Sequence, residues 1–240
     1  MSFLDGLPTT SPSELLGFAE FVREVQQRTS DDIGAVLGEL TVRAVQALPG
    51  AQYAGVTVAR RRKDVETASS TGRYPVLLDE LQGHYREGPC LSAAWEQRMI
   101  RISDLVSDQR WPRYRSEAIK QTPIRSIMSF PLIGDTQTAG ALNFYAERAD
   151  AFDDESAVIG LFFATHTALA WNMLRRDGQF RSALASRDII GQAKGRLMER
   201  FHVDAEAAFQ LIKRLSQGSN APVAEVARRL VEADYPLGRP

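Results

Sequence analysis

SIMSFPLI (126–133), GDTQ (134–137) and TAGALNFYA (138–146) form the stretch of sequence that decides the fold. The first and third are apolar runs of strand length, and the Gly-Asp pair between them is turn chemistry, so the spacing predicts a β-hairpin. Upstream, Ala54, Val56 and Val58 alternate with Tyr53, Gly55 and Thr57, which predicts a half-buried strand with residues 65–70 as its hairpin partner. Before these strands lie two helical patterns. Leu15, Phe18, Val22 and Val25 make one; after a cap signal at Ser30, Asp31 and Asp32, the second is Ile33, Val36, Leu37, Leu40, Ala44 and Leu48, stopped by Pro49 and Gly50. Helical segments are expected at 75–85 and 89–97, a short strand at 99–102, and an element at Trp111 and Pro112. Helices around an antiparallel sheet, followed by a terminal helix, describe an α+β domain.

Composition sets the outer limits. The chain of 240 residues is 44% apolar and 25% charged, with 29 Lys and Arg against 30 Asp and Glu. Near-neutrality speaks against nucleic acid until the charge is located. Residues 1–174 carry 17 basic and 22 acidic side chains, whereas residues 175–240 carry 12 and 8, a basic module on an acidic body. One cysteine, Cys90, excludes an intramolecular disulfide and a multi-cysteine zinc site, and His84, His166 and His202 are dispersed, so no metal and no cofactor is expected. Cys90 and His84 lack a placed third partner for nucleophilic catalysis, and no catalytic residue is assigned. The first ten residues lack a basic segment followed by an apolar core, so a cytoplasmic protein is expected. Residues 157–174 are largely apolar but are interrupted by Thr165, His166 and Asn172, which favours a buried or self-associating helix and no membrane span. Ile159, Phe162, His166, Leu169, Met173 and Phe180 fit a 3.5-residue seam. That seam reads either as a homodimer helix or as burial against the domain's own sheet.

The basic module reads as three helices. Ile190, Ala193, Leu197 and Phe201 form the first apolar stripe; Asp204 caps a second helix with Ala208, Leu211, Ile212 and Leu215 inward. Ser216 to Asn220 is expected as a polar turn, with Asn220 and Pro222 opening a third helix whose inward residues are Val223, Val226, Ala227 and Leu230.

At Gly88, Pro89 and Cys90, at Ile102, Ser103 and Asp104, and at 125–131 with Gly140, Ala141, Leu142 and Asn143, the chain resembles a GAF domain. The resemblance implies a six-stranded antiparallel sheet backed by helices over about residues 31–174, able to hold a small ligand of unknown identity. Tyr85, Trp95, Trp111, Tyr114 and Met128 are candidate pocket aromatics and thioether, or core. Phe152, Asp153, Asp154 and Glu155 echo part of a cyclic-nucleotide signature, but the accompanying Asn and Lys have no match, and Asp153 and Asp154 read as helix caps.

The run Ile190 to Met198, with Ala208, Phe209 and Leu211, then Ser216, Gln217 and Asn220, and finally Val226 and Ala227, resembles an ANTAR domain. That resemblance implies an antitermination module binding paired stem-loops of leader RNA as a dimer. The expected division is an N-terminal helix in 1–30, a GAF-like sensor domain in 31–174 and an ANTAR domain in 175–240, joined by continuing helix. Arg187, Lys194 and Arg196 are the candidate phosphate cations, Gly195 a point of close backbone approach, and Ser216, Gln217 and Asn220 the hydrogen-bonding groups for loop bases. Two alternatives remain: a DNA-binding helix-turn-helix led by Glu225, Arg228 and Arg229, and a module for dimerisation or protein interaction.

Overall fold

The computed structural model describes residues 33–60, 64–132 and 138–233. The helical pattern at 15–25, its following cap signal, the basic residues 61–63 and the hairpin turn at 134–137 lie outside them. The chain divides into two units, Met1–Arg175 and Arg176–Pro240.

In the first unit, helix α1 (Ile33–Ala47) leads into strands β1 (Tyr53–Arg60) and β2 (Asp64–Ser70), helices α2 (Arg73–Tyr85) and α3 (Pro89–Glu96), strand β3 (Ile100–Ile102), helix α4 (Pro112–Gln121), strands β4 (Ser126–Leu132) and β5 (Thr138–Ala146), and helix α5 (Asp154–Phe201). The strands pair antiparallel in the order β2-β1-β5-β4-β3. Five strands are described where the resemblance implies six. Edge strand β3 is three residues long because Asp104 turns the chain, its carboxylate accepting from the Val106 N–H at 3.1 Å and from Arg125 at 2.7 and 2.6 Å.

The alternation in β1 places its residues on the expected faces, but the strand is buried on both, not half-buried. Ala54, Val56 and Val58 join Met128, Phe130, Leu132, Leu142 and Phe144 against α1 and α5. On the other face Ile127, Ala139, Ala141 and Tyr145 pack with Leu78, Cys90, Ala93, Tyr114 and Ala118 of α2, α3 and α4. Helices cover both faces, so the apolar–polar alternation typical of a one-sided sheet is lost.

Of the two expected caps of α5, Asp153 holds, its carboxylate accepting from the Ser156 N–H and hydroxyl, both at 2.8 Å, whereas Asp154 is the first helical residue and pairs with Arg101 at 2.8 Å. The bonds from Ser156 hold the Asp153 carboxyl below the usual aspartate range. The buried face of the helix runs through Ser156, Gly160, Phe163, Ala164, Thr167, Ala170, Trp171 and Leu174. By length and composition α5 contains a window apolar enough to cross a membrane; here Phe163, Ala164 and Trp171 serve the sheet core, and Ala170 and Leu174 pack on Val36 and Leu40 of α1. The expected seam is split. Ile159 and Phe162 lie partly buried on the domain's own core, whereas Leu169, Met173 and Phe180 are exposed. His166 is half-buried, its Nδ1 2.7 Å from the Phe162 carbonyl, a satisfied histidine.

The second unit contains the end of α5, helix α6 (Ala205–Ser219) and helix α7 (Val223–Ala233). Ala193, Leu197, Ala208, Ile212, Val226 and Ala227 form its core. Asp204 caps α6 as expected, accepting from the Ala207 N–H at 2.7 Å. Three local expectations are corrected. Ser216 and Gln217 lie within α6 and not in a turn. Asn220 is the left-handed C-cap of α6 (φ 52°), a conformation asparagine tolerates, and not the N-cap of α7. Phe201 and Leu215, expected inward, are 56% and 50% exposed, because three short helices enclose little more than one line of side chains each and these two flank that line.

Gly160 sets how closely α5 approaches the sheet: a Cβ there would lie 2.3 Å from a ring carbon of Phe130. Alanine favours an exposed helix over glycine by about 1 kcal/mol. At this position, Gly160→Ala is expected instead to lower the unfolding free energy by about 1–3 kcal/mol through overpacking. Denaturant titration checks this; an unchanged or raised midpoint would contradict the packing.

Candidate nucleic-acid interface

The sheet face under α2, α3 and α4 holds a buried polar network. Asp79 of α2, 3% exposed, accepts from Thr57 Oγ1 on β1 at 2.8 Å, Thr67 Oγ1 on β2 at 2.7 Å and Gln82 Nε2 at 3.3 Å. Asn143 Nδ2 on β5 donates to Thr57 Oγ1 at 2.8 Å, and the Cys90 N–H donates to Gln82 Oε1 at 2.8 Å. Five elements are thereby tied around one carboxyl group. Burial pushes that carboxyl from its ordinary 3.8 up to about 7, against the opposing effect of the threonine hydroxyls. Burial and the nearby Asp79 push the Cys90 thiol to about 12, so it stays protonated and is a poor nucleophile. The candidate pocket residues do not line one space: Met128 lies on the α1 and α5 face, while Tyr85, Trp95, Trp111 and Tyr114 lie on the other.

The three-helix unit presents a different chemistry. Arg187, Gly191, Lys194, Met198 and Phe201 recur at spacings of four and three along one face of α5, and Phe209, Lys213, Ser216 and Asn220 do so along α6. The two faces meet where the Lys194 ammonium lies over the Phe209 ring, 5.9 Å from its centroid. Among the described residues Arg187, Lys194 and Lys213 make no ion pair with a carboxylate, whereas Arg181 is paired with Asp177 and Arg229 with Glu225. A Cβ at Gly191 or Gly195 would meet nothing within 4 Å, so neither glycine is required by packing within the protein.

Residues 30–172, more than half of the chain, match the family model of the GAF domain. The chain belongs to the GAF domain family. Residues 178–231 match the ANTAR domain, so a GAF domain is followed by an ANTAR domain, the architecture of a regulatory protein. Solved structures similar to the GAF part include a free methionine-R-sulfoxide reductase from Neisseria meningitidis in complex with its substrate, 16% identical, covering 71% of this chain and 96% of that one with a TM-score of 0.51. The GAF domain of a phosphoenolpyruvate-protein phosphotransferase from Coxiella burnetii is 17% identical, with 69% and 96% covered and a TM-score of 0.51. Its counterpart from Acinetobacter is 13% identical, with 70% and 97% covered and a TM-score of 0.52. At these identities the likeness is one of fold. No curated protein matches the chain.

Within the ANTAR domain the candidate residues separate into two groups. Arg187, Lys194 and Gly195 lie on or beside the common face of α5, with Gln217 and Asn220 exposed on α6 and at its cap. Arg196 points elsewhere: its guanidinium is partly buried and donates to the Val231 carbonyl on α7 at 2.6 Å, fastening two helices together. The Ser216 hydroxyl donates to the Ala221 carbonyl at 2.5 Å and fixes the α6–α7 connection. A DNA-reading α7 is weakened by the pairing of Arg229 with its own Glu225. Neither the Asp79 network nor the position of Phe209 is visible in the sequence. Asn143 inside an apolar strand was the visible signal of a buried polar group; its partners come from distant strands and helices.

Asp79 gives the GAF domain a defined pH response. With its folded-state value raised, the carboxyl holds a proton in the folded protein between about 4 and about 7 that the unfolded chain has released. This contribution to stability is full at lower pH and is lost as pH rises through about 7. Denaturation midpoints of wild type, relative to Asp79→Asn, are expected to fall across that window and level off above it; parallel curves would contradict the assignment.

Proposed function

We propose that this protein is a signal-responsive, cytoplasmic RNA-binding regulator acting by transcription antitermination: its ANTAR domain binds paired stem-loops of a leader transcript as a homodimer, and its GAF domain senses the signal. The observation that carries this reading is that Arg187, Lys194 and Lys213, on the faces of α5 and α6 that meet at Lys194 and Phe209, make no ion pair among the described residues and lie with the open backbone at Gly191 and Gly195. Each mid-helix glycine costs roughly 0.5–1 kcal/mol relative to alanine. With no internal atom needing the space, close approach of an external backbone accounts for both. An RNA hairpin loop offers bent phosphates to the cations and unstacked bases to Gln217 and Asn220.

The homodimer is supported by the face of α5 opposite its buried one. Leu161, Leu169, Met173, Phe180 and Leu184 are each 44% exposed or more, an apolar row that a second copy of the helix would cover. Leu169→Asp combined with Phe180→Asp is expected to convert a dimer to a monomer at micromolar concentration by light scattering; a wild-type monomer would contradict the proposal.

RNA binding is tested by fluorescence anisotropy with a labelled hairpin over a salt series. Lys194→Ala is expected to weaken binding and make the log–log salt dependence less steep by about one unit. Gly195→Ala is expected to stabilise the helix by about 0.5–1 kcal/mol and yet weaken RNA binding. If neither variant differs from wild type in affinity, the proposed face is wrong.

A further inference from the structure

Phe209 is an aromatic residue without a place in its domain's core. The buried line of α6 runs through Ala208 and Ile212, with Leu211 packed beside it, and Phe209 is absent from both the core and the partly buried residues that pack against it. Its ring is partly exposed, on the face of α6 that carries Lys213, Ser216 and Asn220, with the Lys194 ammonium over it at 5.9 Å. A phenyl group held at a surface by a cation keeps a π-system accessible and has a positive charge at hand for a phosphate. Open backbone at Gly191 lies on the same face of α5 as Lys194, with Gly195 beside that face.

We propose that Phe209 is the platform on which one unpaired base of the RNA loop stacks, with Lys194 bound to the phosphate next to that base. This rests on the RNA reading above and adds to it a specific recognition element: single-stranded loop bases splay out and stack on aromatic side chains, whereas paired stems present no free base face. It also assigns the discrimination. Lys194 and Arg187 attract any phosphate backbone, so they cannot separate a hairpin from a duplex; a ring that requires an unstacked base does so. Because every base has a π-face, the contact selects a flipped-out nucleotide more than a particular letter.

The test uses the full-length protein, one hairpin RNA, and the same hairpin carrying an abasic site at each loop position in turn. Phe209→Leu keeps an apolar side chain of similar reach and removes the ring; Phe209→Trp keeps a stacking surface and adds a fluorophore. Phe209→Leu is expected to lose about 5- to 150-fold in hairpin affinity, the range for a single base–aromatic stack, with no change in the salt dependence. One abasic position should cost wild type a similar factor and cost Phe209→Leu almost nothing further. Phe209→Trp should bind within a few-fold of wild type and show quenching on RNA addition beyond that of wild type. Wild type that binds the hairpin while Phe209→Leu binds equally well, or a Phe209→Leu that remains sensitive to every abasic position, overturns this inference alone. Absence of hairpin binding by wild type overturns the RNA reading and this inference with it.

Discussion

Helix α5 has one face to bury, and the chain is arranged around that requirement. Where it crosses the sheet, a glycine replaces any larger residue so that the Phe130 ring can lie against the helix backbone, and Trp171 reaches the sheet near Gly140. Ala170 and Leu174 then meet α1. Burial of this face stabilises the GAF domain through ordinary apolar packing. The opposite face keeps an apolar row that has no intradomain partner among the described residues, and the same helix continues to Phe201, contributing Ala193 and Leu197 to the core of the ANTAR domain. Under the proposed function, a signal that altered how the exposed row pairs would act on the residues of the proposed RNA face, provided it bound the alternative arrangements with different affinity.

The interior of the GAF domain is organised by a second constraint, a carboxyl group without a cation among the described residues. Asp79 is satisfied by hydroxyls and an amide drawn from β1, β2 and its own helix, and the network extends to β5 through Asn143 and to α3 through Gln82. A neutral carboxylic acid is a better neighbour for that apolar interior than an anion, which is why its proton is retained so far above the usual range. The same desolvation holds Cys90 as a thiol and removes it from consideration as a reactive group.

What the sequence made legible follows the range of its signals. The hairpin of β4 and β5, the pairing of β1 with β2, the α1 stripe and the Asp153 and Asp204 caps are local patterns, and the structure contains each of them. Burial of β1 on both faces was hidden because α2, α3 and α4 come from elsewhere in the chain. Arg196 and Ser216 illustrate the same limit at the candidate site: as residue types they suit RNA, but tertiary contacts with Val231 and Ala221 engage them. Phe209 illustrates the reverse: the sequence marks it only as part of the ANTAR resemblance, and its place outside the core follows from its neighbours.

The proposed RNA face combines cations, open backbone and one partly exposed ring on a domain that carries only modest net positive charge. Such a surface is suited to a short loop and not to extended tracking of a phosphate backbone. Two copies joined through α5 would present two such faces. The most direct measurement is therefore the affinity of the full-length protein, at one salt concentration, for a tandem hairpin, the same hairpins separated, and duplex DNA of equal length. The account predicts tandem binding about 100-fold or more tighter than single-hairpin binding, as linkage of two sites provides, with duplex DNA weakest. Equal affinity for all three would contradict it.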